Sequence, residues 1–403
     1  MRAVAVLVAA IALGAIAGVA AQSPTAGRAA APRAETARET SLSTEQIKAA
    51  IDRLGTIDYA ARTAAARALR RAPVATVAPA LVDAVSHHAD GYVRFRALVL
   101  LSGMNDPRTH DVMVQSLSSP NDRLRAAGYA YFEHNPDPQL VARMLAALST
   151  ESSETVRPAL TRTLAAYGTD PKVREALTGF VIKGQDFFRS AVIEAIGDYK
   201  GAYALPSLIQ VAKLDGPLQD DAVLAIGKIG DKKSVETLAA LQRTAPRSVQ
   251  PTIATAICLL GINCSSHQGY LEQSLKFSME TEGFRDLLHG STRGLGALAI
   301  AGNTEALLLL IDNGGPSHDP ARAAIALALG AVALRNTPLF LKVLQSQPDP
   351  KPAIALLGEA FDMLEEDLEE ERFYVTVRRG YWAAAENAPA RKLAETLIQT
   401  LDF

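Results

Sequence analysis

Cys258 and Cys264 are the residues whose type and spacing most directly suggest chemistry. They stand in CLLGINC, with Gly261 and Asn263 breaking any helix between them. That break lets the two Cα atoms approach about 5.5 Å, the separation a disulfide needs. An even pair in an exported chain favours the bond. The competing arrangement buries Cys258 as a small hydrophobe beside a loop thiol. No metal site is expected, because no second Cys pair or Cys/His cluster completes one. The histidines His87, His88, His110, His134, His267, His289 and His318 are scattered and form no H-E-x-x-H. His87 and His88 end one helix and His110 begins the next, so they read as solvated helix-end residues, a placement the helix dipole favours at a C-terminus. There is no G-x-S-x-G, S-x-x-K, Walker A or helix-opening G-x-G-x-x-G. No catalytic residue, cofactor or metal is therefore expected. Ser, His and Asp converging from separate helices would leave no such motif.

The elements that carry these residues repeat. DGYVRFRALVLLSGMNDPRTHDVMVQSL from Asp90 and NDRLRAAGYAYFEHNPDPQLVARMLAAL from Asn121 agree nearly position for position. Aligned on one position, the series runs Arg62, Arg94, Arg125, Arg157, Arg189, Gln219, Gln250, Arg293, Arg322, Lys351 and Arg378, with steps of 27 to 32 residues and one of 43. Four residues earlier stand cap types such as Asp58, Asp90, Asn121, Ser153 and Asp215. Three residues later the positions are apolar or small, as a face between stacked helices requires. Gly103, Gly168, Gly197, Gly227, Gly261, Gly330 and Gly358 fall where a left-handed stop is expected. Asp106-Pro107, Asp137-Pro138 and Asp170-Pro171 then place an N-cap before Pro at N1.

The D-x-x-V-R-x-x-A pattern, a Gly, then a D-P or G-D turn resembles the HEAT-like repeats of bacterial proteins, the type also seen in phycobilin lyase subunits. The resemblance runs from about Ser43 to the C-terminus. It implies an all-α, right-handed solenoid of about ten to eleven HEAT-like helix pairs, with the second helices lining a concave binding face. The recurring arginines Arg62, Arg94, Arg125, Arg157, Arg189, Arg293, Arg322 and Arg378 form a structural ladder, each expected to bond an acid or a carbonyl of the neighbouring repeat.

Outside the repeats, MRAVAVLVAAIALGAIAGVAAQSP reads as a signal peptide, residues 1–21, cut after Ala21. The alternative is a retained anchor, since the apolar run is nearly long enough to span a bilayer. Residues 22–41 read as a flexible tether, and 42–403 as the solenoid. Ser43 with Gln46 makes a capping-box pattern. Lys+Arg of 41 against Asp+Glu of 43 gives no basic excess, which argues against nucleic acid as a partner. An irregular insertion is expected near residues 263–290, in a region from Asp215 to Arg293 where the ladder loses its Arg. The acidic run from Glu365 to Glu371 reads as the solvated polar cap of the last repeat, with Trp382 closing the core there. These readings converge on an exported, monomeric scaffold, periplasmic or secreted, that binds a protein or peptide through its concave face without catalysis. The alternative is a lyase-type enzyme or enzyme subunit with a site in the groove.

Overall fold

Ser43 opens the array as a capping box: its Oγ accepts from the Gln46 N–H at 3.3 Å, and Gln46 Oε1 accepts from the Ser43 N–H at 2.8 Å. The computed structural model describes residues 41–403; the expected signal peptide and the tether up to residue 40 lie outside the described residues. Twenty-two α-helices and no strand occur among the described residues. They are α1 (Thr44–Arg53), α2 (Tyr59–Arg71), α3 (Val74–His87), α4 (Gly91–Ser102), α5 (Thr109–Ser116), α6 (Asp122–His134), α7 (Val141–Thr150), α8 (Val156–Ala166), α9 (Pro171–Ile182), α10 (Asp186–Asp198) and α11 (Leu205–Ala212). The second half continues with α12 (Gln219–Ile229), α13 (Val235–Thr244), α14 (Gln250–Leu259), α15 (Cys264–Glu280), α16 (Arg285–Ile300), α17 (Thr304–Gly314), α18 (Ala321–Arg335), α19 (Thr337–Ser346), α20 (Lys351–Leu364), α21 (Asp367–Ala383) and α22 (Pro389–Thr400). No single helix among them is long and apolar enough to cross a membrane.

The boundaries follow from side chains that satisfy the free N–H groups of each first turn. Asp58, Asp90 and Asn121 accept from Ala60, Tyr92 and Arg123 at 2.7 to 3.0 Å. Asp170 caps α9 ahead of Pro171, and Asp137 caps a 3-10 turn leading into α7. Ser153 and Asp215 hold no cap bond; Thr155 and Leu218 occupy those places.

The first helices α2, α4, α6 and so on through α20 stack into one continuous row, and the second helices lie behind them. Gly197 and Gly227 serve this row rather than ending helices. A Cβ at Gly227 would stand 2.5 Å from the Ala256 Cα, and one at Gly197 would stand 2.8 Å from the Ala225 Cα. Only with hydrogen at these positions can α10, α12 and α14 touch backbone to backbone. The left-handed stop of α12 is Gly230, at φ 82°.

The expected ladder resolves into a brace. Arg62 donates to the Thr56 carbonyl, Arg94 to Val85, Arg125 to Ser119, Arg157 to Glu151 and Arg189 to Val181, at 2.7 to 3.1 Å. Each reaches back to carbonyls left open where the preceding second helix ends. Gln219 and Gln250 make the same bond to Ala212 and Ala245, both at 3.0 Å, so losing Arg there breaks nothing. Three expected rungs depart from this geometry. Arg293 lies two turns inside α16 and pairs with Asp221, because the 43-residue step shifted the register. Arg322 pairs forward with Glu359 of α20. Arg378 lies on α21, which is not a first helix. The insertion itself is helical: it lengthens α15 and the start of α16.

Two apolar cores run along the array. One spans Ile47 to Leu260, the other Ala254 to Phe403, and they meet at α14. The ends of the array also meet. After α20 the chain does not turn straight into its second helix; α21 intervenes and packs on α4, α6 and α18, while α22 takes the place beside α19 and α20. Because α21 reaches first helices from both ends, the first-helix row lines the inside. The expectation that second helices line it is thereby corrected.

Candidate functional site

The inner face is organised by the acidic segment that the sequence reading assigned to solvent. Glu371 is buried and holds Arg70 of α2 through a bidentate pair at 2.7 to 3.1 Å. Asp367 pairs with Arg96 of α4. Glu369, also buried, accepts from His134 of α6 at 2.7 Å and from Arg372 at 2.5 Å. Glu366 meets Arg335 of α18 at 2.7 Å. Burial alone would raise the Glu369 carboxyl; the His134 hydrogen bond and the charges of His134, Arg372 and Arg335 outweigh it and hold the group at about 2. Glu370 behaves oppositely: burial, then the Asp367 charge, pushes it up to about 8. Trp382 does not close the core; it is 44% exposed, and its neighbour Tyr381 is buried instead.

A second network continues along the row. Arg162 of α8 bonds Glu133 of α6 at 2.9 Å and Asp198 of α10 at 2.5 Å. Lys228 of α12 reaches Asp198 at 2.6 Å, and the Tyr199 hydroxyl donates to Glu133 at 2.6 Å. Burial favours a neutral Arg162, but the charges of Glu133 and Asp198 prevail and raise its value. Burial followed by the Glu133 charge raises Tyr199.

Between these networks lies a cavity of about 430 Å³, walled by α6 and α8 on one side and the α20–α21 turn on the other. Ala126, Ala130, Pro158 and Ala159 form an apolar floor, because small side chains there leave room that Leu364 and Leu368 do not fill. Most charges around it are locked in the pairs just described. Arg123 makes no ion pair among the described residues; it lies over the rings of Tyr92 and Phe95 at 5.6 and 5.7 Å. Arg123, Glu365 and Asp367 also border a neighbouring cavity of about 210 Å³, which holds Glu370 beside Tyr59 and Tyr92. A third, of about 400 Å³, lies against His134, Glu369 and Arg372.

Ligand atoms of Glu133, His134 and Glu369 come within 4.8 Å of one another, the spacing of a metal site. The surrounding donors do not suit a cation. Arg162 and Tyr199 already hold Glu133, and Arg372 contacts His134 at 2.6 Å as well as Glu369. A metal ion would face two fixed guanidinium charges. The trio is an ion-pair network.

The remaining expected residues stand elsewhere. Cys258 and Cys264 are joined sulfur to sulfur, with Cα atoms 4.1 Å apart where α14 turns into α15. His87, His88 and His110 do not converge: each bonds a nearby carboxylate, from Asp83, Asp52 and Asp137 respectively. In the region from Asp215 to Arg293 a cavity of about 370 Å³ is bordered by Asp215, Asp220, Asp286, His289 and Arg293. Burial, with Asp221 and Asp286 adding to it, holds Asp220 above the usual carboxylate range against a Thr252 hydrogen bond and the Arg293 charge. His134 and Arg70 were not singled out as functional from sequence. Their partners lie 235 and 301 residues away, and no local pattern marks them.

Residues 47–133, covering α1 to α6, match the family profile of HEAT repeats. No curated protein matches the sequence. Among solved structures, YibA of E. coli is similar at 16% identity and TM-score 0.40, covering 54% of this chain and 82% of that one. The CpcE–CpcF complex of phycocyanin lyase from Nostoc sp. is similar at 17% and 0.41, covering 64% and 96%. Kap95p in complex with RanGDP is similar at 12% and 0.41, covering 89% and 61%. Likeness at this level carries no functional argument.

Proposed function

We propose that this protein is an exported, non-catalytic scaffold that binds a protein or peptide partner on the inner face of its array. The supporting observation is the cavity of about 430 Å³ between α6, α8 and the α20–α21 turn. Its apolar floor suits a hydrophobic side chain, and its rim charges are fixed by one another. Paired, oriented charges around an apolar slot recognise shape and polarity. They are poor proton carriers, since His134 and Arg372 hold the Glu369 carboxyl at about 2. Export rests on the apolar leader ending in Val19-Ala20-Ala21 and on the joined cysteines.

Photo-crosslinking tests the placement. A crosslinker at Ala130 on the inner face should capture a partner in the producing cell, and one at Glu236 on the exposed side of α13 should not. Equal capture at both sites, or capture only at Glu236, refutes inner-face binding. Export predicts that the mature chain recovered outside the cytoplasm begins after Ala21.

A catalytic reading draws on one observation, Glu370. Its carboxyl, pushed up to about 8, is largely protonated at neutral pH and borders a cavity of about 210 Å³. A neutral acid in a cleft suits proton donation. Under this reading Glu370→Gln abolishes turnover of a cognate small molecule while leaving partner capture at Ala130 intact.

A further inference from the structure

The contacts that close the array differ in kind on the two sides of α21. Towards the C-terminal half, α21 is held by Phe373, Val377 and Tyr381, all members of that half's apolar core. Towards the N-terminal half, Leu368 is its one member of the apolar core among the described residues. Most of the rest of that junction is polar: Glu371 with Arg70, Asp367 with Arg96, Glu369 with His134, and beyond α21 Asp402 with Arg67, joined by Val375 beside Gly103 and by the Arg70 guanidinium over the Tyr374 ring. Cavities of about 430, 210 and 400 Å³ border the helix on this side, so it does not fill the space a packed core would fill. Parting the junction withdraws Leu368 from the N-terminal core and leaves the C-terminal core whole.

The basic partners on the other side belong to successive first helices. Arg70 on α2, Arg96 on α4 and His134 on α6 present a line of hydrogen-bond donors across the row, two of them guanidinium cations, and Tyr92 and Phe95 hold Arg123 beside it with no carboxylate partner among the described residues. The matching acids come from one stretch of helix: Asp367 and Glu371 lie one turn apart on the same face, towards α4 and α2, and Glu369, two residues from each, lies round the helix towards α6. A helix that offers acids at that spacing with one leucine between them is what this face recognises.

We propose that the face formed by α2, α4 and α6 is a receptor for an acidic amphipathic helix of a partner protein, and that α21 is its built-in competitor. This rests on the inner face being the binding surface, and it names the partner's chemistry. The partner supplies carboxylates to Arg70, Arg96 and His134 and an apolar side chain in place of Leu368. α21 withdraws with the C-terminal core to which its apolar face belongs. Arg123 gains the carboxylate it lacks in the closed form.

The probe is a labelled synthetic peptide of residues 365–378, titrated by fluorescence anisotropy onto the full chain. Wild type, in which α21 occupies the face, should bind it weakly. Asp367→Asn with Glu371→Gln weakens the resident helix and leaves the receptor intact, so the peptide should bind at least tenfold tighter. Adding Arg96→Glu should abolish that gain. A peptide with its equivalents of Asp367, Glu369 and Glu371 changed to amides should not bind, and higher salt should weaken the native peptide. If the double variant loses its helical circular dichroism, Asp367→Asn alone replaces it. Equal affinity for wild type and the weakened variants overturns the proposal, as does equal binding of the amide peptide. Those failures, together with continued crosslinking at Ala130, would remove the acidic-helix receptor and leave the inner-face scaffold standing.

Discussion

Arg70→Met interrogates the closure at its most buried point. The Arg70 Nε and NH2 groups hold both oxygens of Glu371 at 2.7 to 3.1 Å, with the two side chains only 6% and 3% exposed. Methionine keeps much of the stem volume and removes the charge. A solvated ion pair contributes at most about 1 kcal/mol, but removing one member of a buried pair costs about 3–5 kcal/mol, because the survivor stays desolvated and unpaired. Protonation caps that cost: bringing a carboxyl of ordinary value near 4.3 to its acid form at pH 7 takes roughly 3.7 kcal/mol. The expected loss is therefore about 3 kcal/mol. The double change Arg70→Met, Glu371→Leu removes both charges and should return stability to within about 1 kcal/mol of wild type. Urea titration of the four proteins measures the coupling. Trp382, the only tryptophan, lies on α21 and reports that helix directly. Repeat arrays can lose units separately, so in the single variant the Trp382 signal should move before far-UV circular dichroism. A single variant within 1 kcal/mol of wild type, or a double variant as unstable as the single, would refute the claim that this pair closes the array.

Glu370→Gln should change the pH dependence of stability. The folded carboxyl sits at about 8, against about 4.3 unfolded. The native state therefore keeps a proton the unfolded chain has lost, and wild-type stability falls as pH rises through that window. The variant should lose less between pH 5 and 8, by on the order of 3 kcal/mol; parallel denaturation midpoints would contradict this. Gly227→Ala places a methyl group where the Ala256 Cα stands 2.5 Å away, so α12 and α14 must separate at about 1–3 kcal/mol, read by thermal unfolding. Arg157→Gln should be tolerated, since Gln219 and Gln250 make the same brace, whereas Arg157→Ala should cost about 1–2 kcal/mol by leaving the Glu151 carbonyl open. Titration of the unfolded, unreduced protein should find no free thiol; two would dismiss the Cys258–Cys264 bond.

What the sequence made legible is what each repeat encodes locally. Ser43, Asp58, Asp90 and Asn121 announce their helices because a cap acts within three residues. The arginines from Arg62 to Arg189 stood out because one bond recurs once per repeat. The glycines were visible but misassigned: Gly197 and Gly227 mark sites where a neighbouring backbone approaches, and a single chain read linearly does not separate that use from a left-handed stop. The register slip at Arg293 has a similar origin, since the helical insertion carried the true rung away from the position that spacing selected. The closure itself was illegible. Arg70 looks like any exposed residue of an amphipathic helix until Glu371 arrives from 301 residues away. A charge run such as EEDLEEER is ordinarily solvated; here Glu369 and Glu371 within it are buried because another part of the array supplies their partners.

The same asymmetry bears on where function resides. The two cores meet along α14, where Ala254 and Cys258 join the second core beside Ile253 and Ile257 of the first. That junction is apolar, interdigitated and reinforced by the cysteine pair at the α14–α15 turn. The junction at α21 is ionic and bordered by cavities. Apolar interlock resists separation at any salt concentration, whereas charge pairs with few apolar neighbours can be exchanged for equivalent charges on another molecule. A closed array with one strong and one exchangeable junction opens at the exchangeable one. Asp215 to Arg293, which its lost arginines and insertion seemed to mark out, then belongs to the strong side, because Gln219 and Gln250 keep the brace and Arg293 ties α16 back to Asp221. Under the receptor proposal, the residues that select a partner are those that already hold α21: Arg70, Arg96 and His134.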